Sequence, residues 1–330
     1  MNNQSNYGEA ILQGFQYLLS NHSNVFAIGQ GLWSPWYVGN SMRDLENDFG
    51  KDRVMDTPVS EQGCTGIALG ASLCGYRPIV IHPRIDFMIL AADQIVNQAA
   101  KWSHMLGGNG NRPTVTIRGI VNRGGEQGAQ HSQVLHSWFA HIPGLRVVMP
   151  ATVQDARDLL IASVLTDDPV VYIDDRWLYD DEDMLSPPKD LTLHGIGPKR
   201  LRIGEHVTMV GASYSVKLCL QAAQQLEKEN IESEVIDLRV ISPLNVEKIV
   251  DSVRKTRCLV VVDGGWSPCG LAGEIIASVT ERMGPSRYVA NRITIPFAPA
   301  PTSKVLEEIY YPTTEDIVSQ VRENINALNQ

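Results

Sequence analysis

The sequence has no apolar run long enough to cross a bilayer, no Lys/Arg-rich stripe, and no cysteines at paired metal-ligand spacing. The first absence argues against a membrane-spanning helix. The second, with a net charge of -9 over 330 residues, argues against nucleic acid or an anionic membrane as partner, since both reward a basic surface. The third leaves Cys64, Cys74, Cys219, Cys258 and Cys269 to be read as reduced thiols, mostly embedded in apolar segments of a cytoplasmic protein, with no metal site. Residues 1–7 are polar and lead directly into an amphipathic pattern, so no secretory hydrophobic region is expected there. The glycine-rich stretch 107–111 follows a predicted helix rather than opening one. It therefore reads as a surface turn and not as a phosphate cradle. Asp263-Gly264-Gly265 ends a predicted strand without the spacing of a dinucleotide fingerprint.

What is present is a regular alternation. The length exceeds the usual limit of one hydrophobic core, so two domains are expected. Tyr7, Ile11, Phe15 and Leu18 share one helical face, and strands are predicted over 25–29, 79–81, 113–117 and 170–173, with helices over 93–104 and 153–165. The pattern stops over 179–200, where acidic residues precede Pro187, Pro188, Gly195 and Gly197. It resumes as strands over 207–211, 233–236 and 258–262 and helices over 216–228 and 246–253. Short apolar strands alternating with helices predict an α/β architecture of two doubly wound domains. The expected boundaries are 1–178, a linker over 179–200, and 201–330.

The chemistry concentrates in Thr57-Pro58-Val59-Ser60-Glu61-Gln62-Gly63, a small-residue run, and Gly75-Tyr76-Arg77-Pro78. Glu61 stands at the mouth of an apolar segment, where an unpaired carboxylate is costly and needs a partner. Backbone N–H groups after the turn at Pro58 are one such partner. Read together with Phe87, Asp93-Gln94-Ile95-Val96-Asn97, Gln130-His131-Ser132-Gln133, Ala140-His141-Ile142-Pro143-Gly144-Leu145, Ile236-Asp237-Leu238-Arg239 and Ser242-Pro243-Leu244, the chain resembles the beta subunit of the first component of the 2-oxo acid dehydrogenase complexes. These are transketolase-like, thiamine diphosphate-dependent enzymes, and the matching residues run in order through nearly the whole chain.

The resemblance implies a pyrimidine-binding domain followed by a transketolase C-terminal-like domain. It implies that Glu61 hydrogen-bonds the aminopyrimidine ring of thiamine diphosphate and controls a proton there, while the cofactor carries the carbanion chemistry. Phe87, by default a core aromatic, matches the residue that stacks on that ring. His131, at the end of the polar segment beginning at Gly124, matches a histidine near the reacting end of the cofactor. His141 reads as structural, and His136 stays undecided. The family's Gly-Asp-Gly motif for magnesium is missing. The chain thus resembles half of an active site, completed by an alpha subunit that carries Gly-Asp-Gly and holds magnesium and the diphosphate. A beta–beta contact in an alpha2beta2 heterotetramer and docking to a lipoyl acyltransferase core are implied in the same way.

Departures from the family pattern bear on specificity. Gln30 stands where a glutamate is common; it still forms hydrogen bonds near the cofactor but holds no acidic proton. Arg84, with His82 and Pro83 before it, stands where an apolar or aromatic residue is usual. This points to an anionic substrate or acceptor, or alternatively to an ion pair with Asp86 or with a subunit-interface carboxylate. The loop before Pro169, which binds a monovalent cation in the family, reads Thr166-Asp167-Asp168, and its backbone oxygens are candidate potassium ligands. Two other readings compete with an acyl-transferring dehydrogenase. One is a transferase that moves a two-carbon or acyl unit to a sugar-like acceptor. The other is a non-catalytic assembly subunit.

Overall fold

The computed structural model describes residues 4–108, 110 and 112–328. Residues 1–3 of the polar start, Asn109 and Asn111 of the glycine-rich turn, and the last two residues lie outside that range. The chain divides into two compact units, one made of Met1–Asn122 and Trp138–Ile196, the other of Arg123–Ser137 and Gly197–Gln330. No helix among the described residues is long and apolar enough to cross a membrane.

The first unit is built on strands β1 (Gln4–Asn6), β2 (Val25–Gln30), β3 (Val54–Thr57), β4 (Arg77–His82), β5 (Thr116–Val121), β6 (Arg146–Val148), β7 (Val170–Asp175) and β8 (Glu182–Met184). Six of them follow the order β6-β7-β5-β4-β2-β3, all parallel. Apart from β3 their faces are almost wholly buried, which is why they read as continuous apolar runs rather than alternating ones. Helix α1 (Tyr7–Asn21) opens on a capping box. Asn6 accepts from the Glu9 amide at 2.8 Å, and the Glu9 side chain accepts from the Asn6 amide at 3.3 Å. Its buried face includes Tyr7, Ile11, Phe15 and Leu18. Of the segment 179–200, residues up to Ile196 group with this unit, and β8 pairs antiparallel with β1.

Two elements differ from the sequence expectation. The helix expected over 93–104 is a π-helical stretch, Asp93–Ala99, followed by a short helix at Trp102–Met105. The strand expected over 113–117 lies at Thr116–Val121. Arg118 disguises it, because a charged residue breaks the apolar pattern although it is completely buried. Burial is tolerated because Asp174 accepts from its Nε and Nη2, both at 2.8 Å.

The second unit carries β9 (Lys199–Arg202), β10 (Val207–Gly211), β11 (Ser233–Asp237), β12 (Val240–Ser242), β13 (Cys258–Trp266) and β14 (Val289–Ile295). One sheet runs β14-β13-β10-β11-β9, parallel except for β9. Strand β13 continues past Asp263-Gly264-Gly265, where the sequence suggested an end, through a register shift between Val262 and Trp266. Cys64, Cys219 and Cys258 are buried free thiols as expected, whereas Cys74 and Cys269 are exposed.

Candidate active site

In the first unit, β2 has β3 on one side and β4 on the other, so the winding direction reverses between β2 and β4. In open α/β sheets a crevice forms beyond the carboxyl ends of the strands at such a reversal. Gln30 ends β2, Thr57 ends β3 and His82 ends β4. Arg84, Phe87 and Glu61 follow within a few residues, so the sheet's connectivity brings most of the sequence-predicted site to one edge. Gly29 is required there, since a Cβ would lie 2.3 Å from the Ile81 carbonyl oxygen on β4. The turn after Gln30 is held by Asp56, whose carboxylate accepts from the amides of Gly31, at 2.5 Å, and Leu32, at 3.2 Å.

Glu61 is the first residue of helix α2 (Glu61–Leu73), which starts without a side-chain cap. Its carboxylate is half-buried and makes no hydrogen bond or ion pair among the described residues. The backbone behind it is fixed. Thr65 donates its hydroxyl proton to the Glu61 carbonyl at 2.7 Å, and the Thr65 hydroxyl oxygen lies 3.3 Å from His82 Nε2. A hydroxyl has one proton, so His82 Nε2 is the donor of the second bond. His82 is 3% exposed, and burial lowers its pKa to about 4. It is a neutral ring supporting α2, not a charge facing solvent.

Arg84 precedes α3 (Ile85–Met88) in extended conformation, and Phe87 on that helix is 37% exposed. Asp86 is buried. In the π-helical stretch, Asn97 donates to Asp93 at 2.8 Å, and the Ala100 amide reaches Ile95 at 3.0 Å. π-Helical turns of this kind are frequent at functional sites. Arg176, which the sequence reading passed over, follows β7 directly and donates from Nη2 to the Tyr37 carbonyl. Its only sequence signal is a charge placed just after an apolar strand.

His131 groups with the second unit, as part of Arg123–Ser137. This segment is tied down at several points within that unit. Glu126, at φ 62°, donates its amide to Glu307 at 2.9 Å, and its carboxylate accepts from the Lys304 amide at 3.2 Å. His136 Nε2 lies 3.0 Å from Asp263, with both side chains buried. Ser137 accepts from the Leu271 amide at 3.1 Å, and Arg123 stacks over Tyr214 at 5.3 Å. Burial works against the Asp263 charge, but His136 and the amides of Gly265 and Ala272 hold its carboxyl below the ordinary range. His136, undecided in the sequence, is thus a structural partner, and His141 is exposed. Among the described residues no group of three or more His, Cys, Asp or Glu side chains is placed to hold a metal. In the loop before Pro169, the carbonyls of Val164 and Thr166 accept from Arg77 at 2.9 and 2.8 Å.

Comparison with known proteins agrees with this fold. Residues 3–181 match the transketolase pyrimidine-binding domain, and residues 198–317 match the transketolase C-terminal domain. The chain is 38% identical over 326 residues to the mitochondrial pyruvate dehydrogenase E1 component subunit beta of Bos taurus, covering 96% of this chain and 90% of the relative. It is 36% identical over 320 residues to the corresponding subunit of Rickettsia conorii, covering 95% and 96%. It is 40% identical over 276 residues to the acetoin:2,6-dichlorophenolindophenol oxidoreductase subunit beta of Cupriavidus necator, covering 83% and 81%. Among solved structures, an inactive beta4 tetramer of a split-gene transketolase superposes with a TM-score of 0.76 at 21% identity, covering 97% of this chain and 96% of that one.

Proposed function

The chain belongs to the transketolase-like family of 2-oxo acid dehydrogenase E1 beta subunits, and from that premise we propose that it acts with a separate alpha subunit to decarboxylate a 2-oxo acid and pass on the acyl unit. Thiamine diphosphate, when bound, supplies the electron sink for decarboxylation. The observation that carries the reading is Glu61, a half-buried carboxylate at the carboxyl edge of the sheet that has no partner among the described residues. It fits an aminopyrimidine ring nitrogen, and the partly exposed Phe87 ring fits its face. The residues therefore fit the pyrimidine half of the cofactor. Nothing comparable among the described residues fits magnesium, which this reading assigns, with the diphosphate, to a Gly-Asp-Gly motif on the alpha subunit.

In this reading Glu61 holds the proton at the pyrimidine ring, and Thr65 and His82 keep the first turn of α2 from shifting under it. Gln30 offers hydrogen bonds without acidity. His131 exchanges a proton with, or stabilises, the carboxylate of the substrate. Arg84 is assigned to the substrate side, and His82 is moved from that side to a supporting role. Potassium has a competitor at the loop before Pro169, where the Arg77 guanidinium already bonds the carbonyls. An alpha2beta2 assembly, docking to a lipoyl acyltransferase core and a cytoplasmic setting belong to the same proposal, the last supported by five free cysteines.

The test is reconstitution with the alpha partner and measurement of cofactor-dependent decarboxylation. Glu61→Gln is expected to preserve the fold and lower turnover roughly 10²- to 10⁴-fold, the range for a positioned acid or base. Equal rates of thiazolium proton exchange in the variant and the parent would remove Glu61 from the mechanism. No turnover in the parent complex would favour a non-catalytic assembly role.

A further inference from the structure

We propose that Arg84 and Arg176 form an anion clamp at the carboxyl edge of the first unit's sheet. The clamp takes a dianion, a phosphate or a pair of carboxylates, on the compound the enzyme acts on or transfers to. Only the assignment of that group to substrate or acceptor rests on the function proposed above.

Strands β4 and β7 both pair with β5, so their ends stand two strand spacings apart, about 10 Å. Arg84 lies two residues beyond β4, and Arg176 is the first residue beyond β7. Both arginines are half-buried and neighbour Tyr37: Arg176 bonds its carbonyl, and Arg84 feels its hydroxyl. Among the described residues neither guanidinium forms a salt bridge. Among those residues Arg176 Nε is buried without a hydrogen-bond partner, the guanidinium lying over the Tyr179 ring at 5.9 Å, and Arg84 makes no side-chain hydrogen bond. Burial and then the Arg176 charge lower the pKa of Arg84, with Asp86 partly opposing them. Of the two acids that precede Arg176, Asp174 is taken up by Arg118 and Tyr179, and Asp175 accepts from the Trp177 amide at 3.0 Å.

Two like charges beside the same residue, Tyr37, with donors left over, are an unfavourable arrangement on their own. A bound dianion relieves both costs. A single carboxylate fills one guanidinium fork, whereas a phosphate or a dicarboxylate presents enough oxygens to fill two.

The experiment titrates the full chain calorimetrically with inorganic phosphate and, separately, with malonate. Saturable binding of either ion is expected in the parent. Arg84→Leu and Arg176→Leu should each weaken it roughly 10- to 100-fold, the equivalent of the charge-assisted hydrogen bonds removed. Arg84→Lys, which keeps the charge and loses the fork, should fall between. Preference for phosphate identifies a phosphorylated compound, and preference for malonate a dicarboxylate. Glu61→Gln should leave anion affinity unchanged, so a failure of the cofactor reading and a failure of the clamp are separable. If a leucine variant does not fold, Arg84→Lys and Arg176→Lys carry the test. No binding in the parent, or equal affinity in parent and folded variants, overturns the proposal. So does lower thermal stability in the variants with anion affinity unchanged, which would make the arginines structural.

Discussion

At the scale of single residues, the support behind Glu61 has a measurable signature in pH. His82 has a pKa of about 4 in the folded chain, against about 6.5 for an unfolded histidine. As pH falls, the unfolded chain takes up this proton first. The contribution of a neutral His82 is therefore complete above about 6.5 and is lost as pH falls through about 4, a loss of roughly 3 kcal/mol. His82→Phe, which keeps the volume and removes the titration, should flatten the fall of Tm between pH 7 and pH 4.5. An identical fall in parent and variant would show that His82 does not titrate this way. Arg118 is the opposite case. Burial disfavours its charge, yet Asp174 and Tyr179 around it hold its pKa above the ordinary value. Asp174→Asn leaves that charge uncompensated and should cost about 3 to 5 kcal/mol in denaturant unfolding.

Elements show where sequence reasoning reaches and where it stops. Helix Val153–Leu165 and strand Val207–Gly211 coincide with their expected spans because their apolar residues carry the periodicity that tertiary packing then uses. The placement of Glu61 and Phe87 at one edge of a sheet was legible because they follow closely after strands β3 and β4, whose connectivity brings them there. Thr65 was hidden inside a run of small residues, and Arg176 behind an acidic pair. The pairing of His136 with Asp263 joins distant segments of sequence, so no spacing could reveal it. That pair supports a prediction about the segment Arg123–Ser137. Asp263 anchors three donors, His136 and the amides of Gly265 and Ala272. Asp263→Asn should speed amide hydrogen exchange across 123–137 by roughly 10- to 100-fold, as expected when local opening becomes easier by one or two such interactions. Because the Asp263 carboxyl lies below its ordinary range, the anchor should hold at pH 5 and weaken only as pH falls through its folded-state pKa. Unchanged exchange would show that the remaining contacts suffice.

For the whole molecule, the proposed fit to the pyrimidine half of the cofactor predicts dependence on a second polypeptide. The isolated chain should bind thiamine diphosphate with magnesium weakly or not at all by titration calorimetry, and tightly once the alpha subunit is present. Tight magnesium-dependent binding by the chain alone would contradict the split. The path of the backbone has a further consequence, for inheritance. The chain enters the second unit at Arg123, returns to the first at Trp138 and leaves again at Gly197. A recombination event near codon 197 would deliver one parent's residues 123–137 onto another parent's Asp263, Leu271, Lys304 and Glu307. Gene shuffling among such subunits should therefore succeed where both stretches of the second unit travel together and fail at a single crossover. The histidine-bearing segment is fifteen codons that belong, by their contacts, to a half of the gene far downstream.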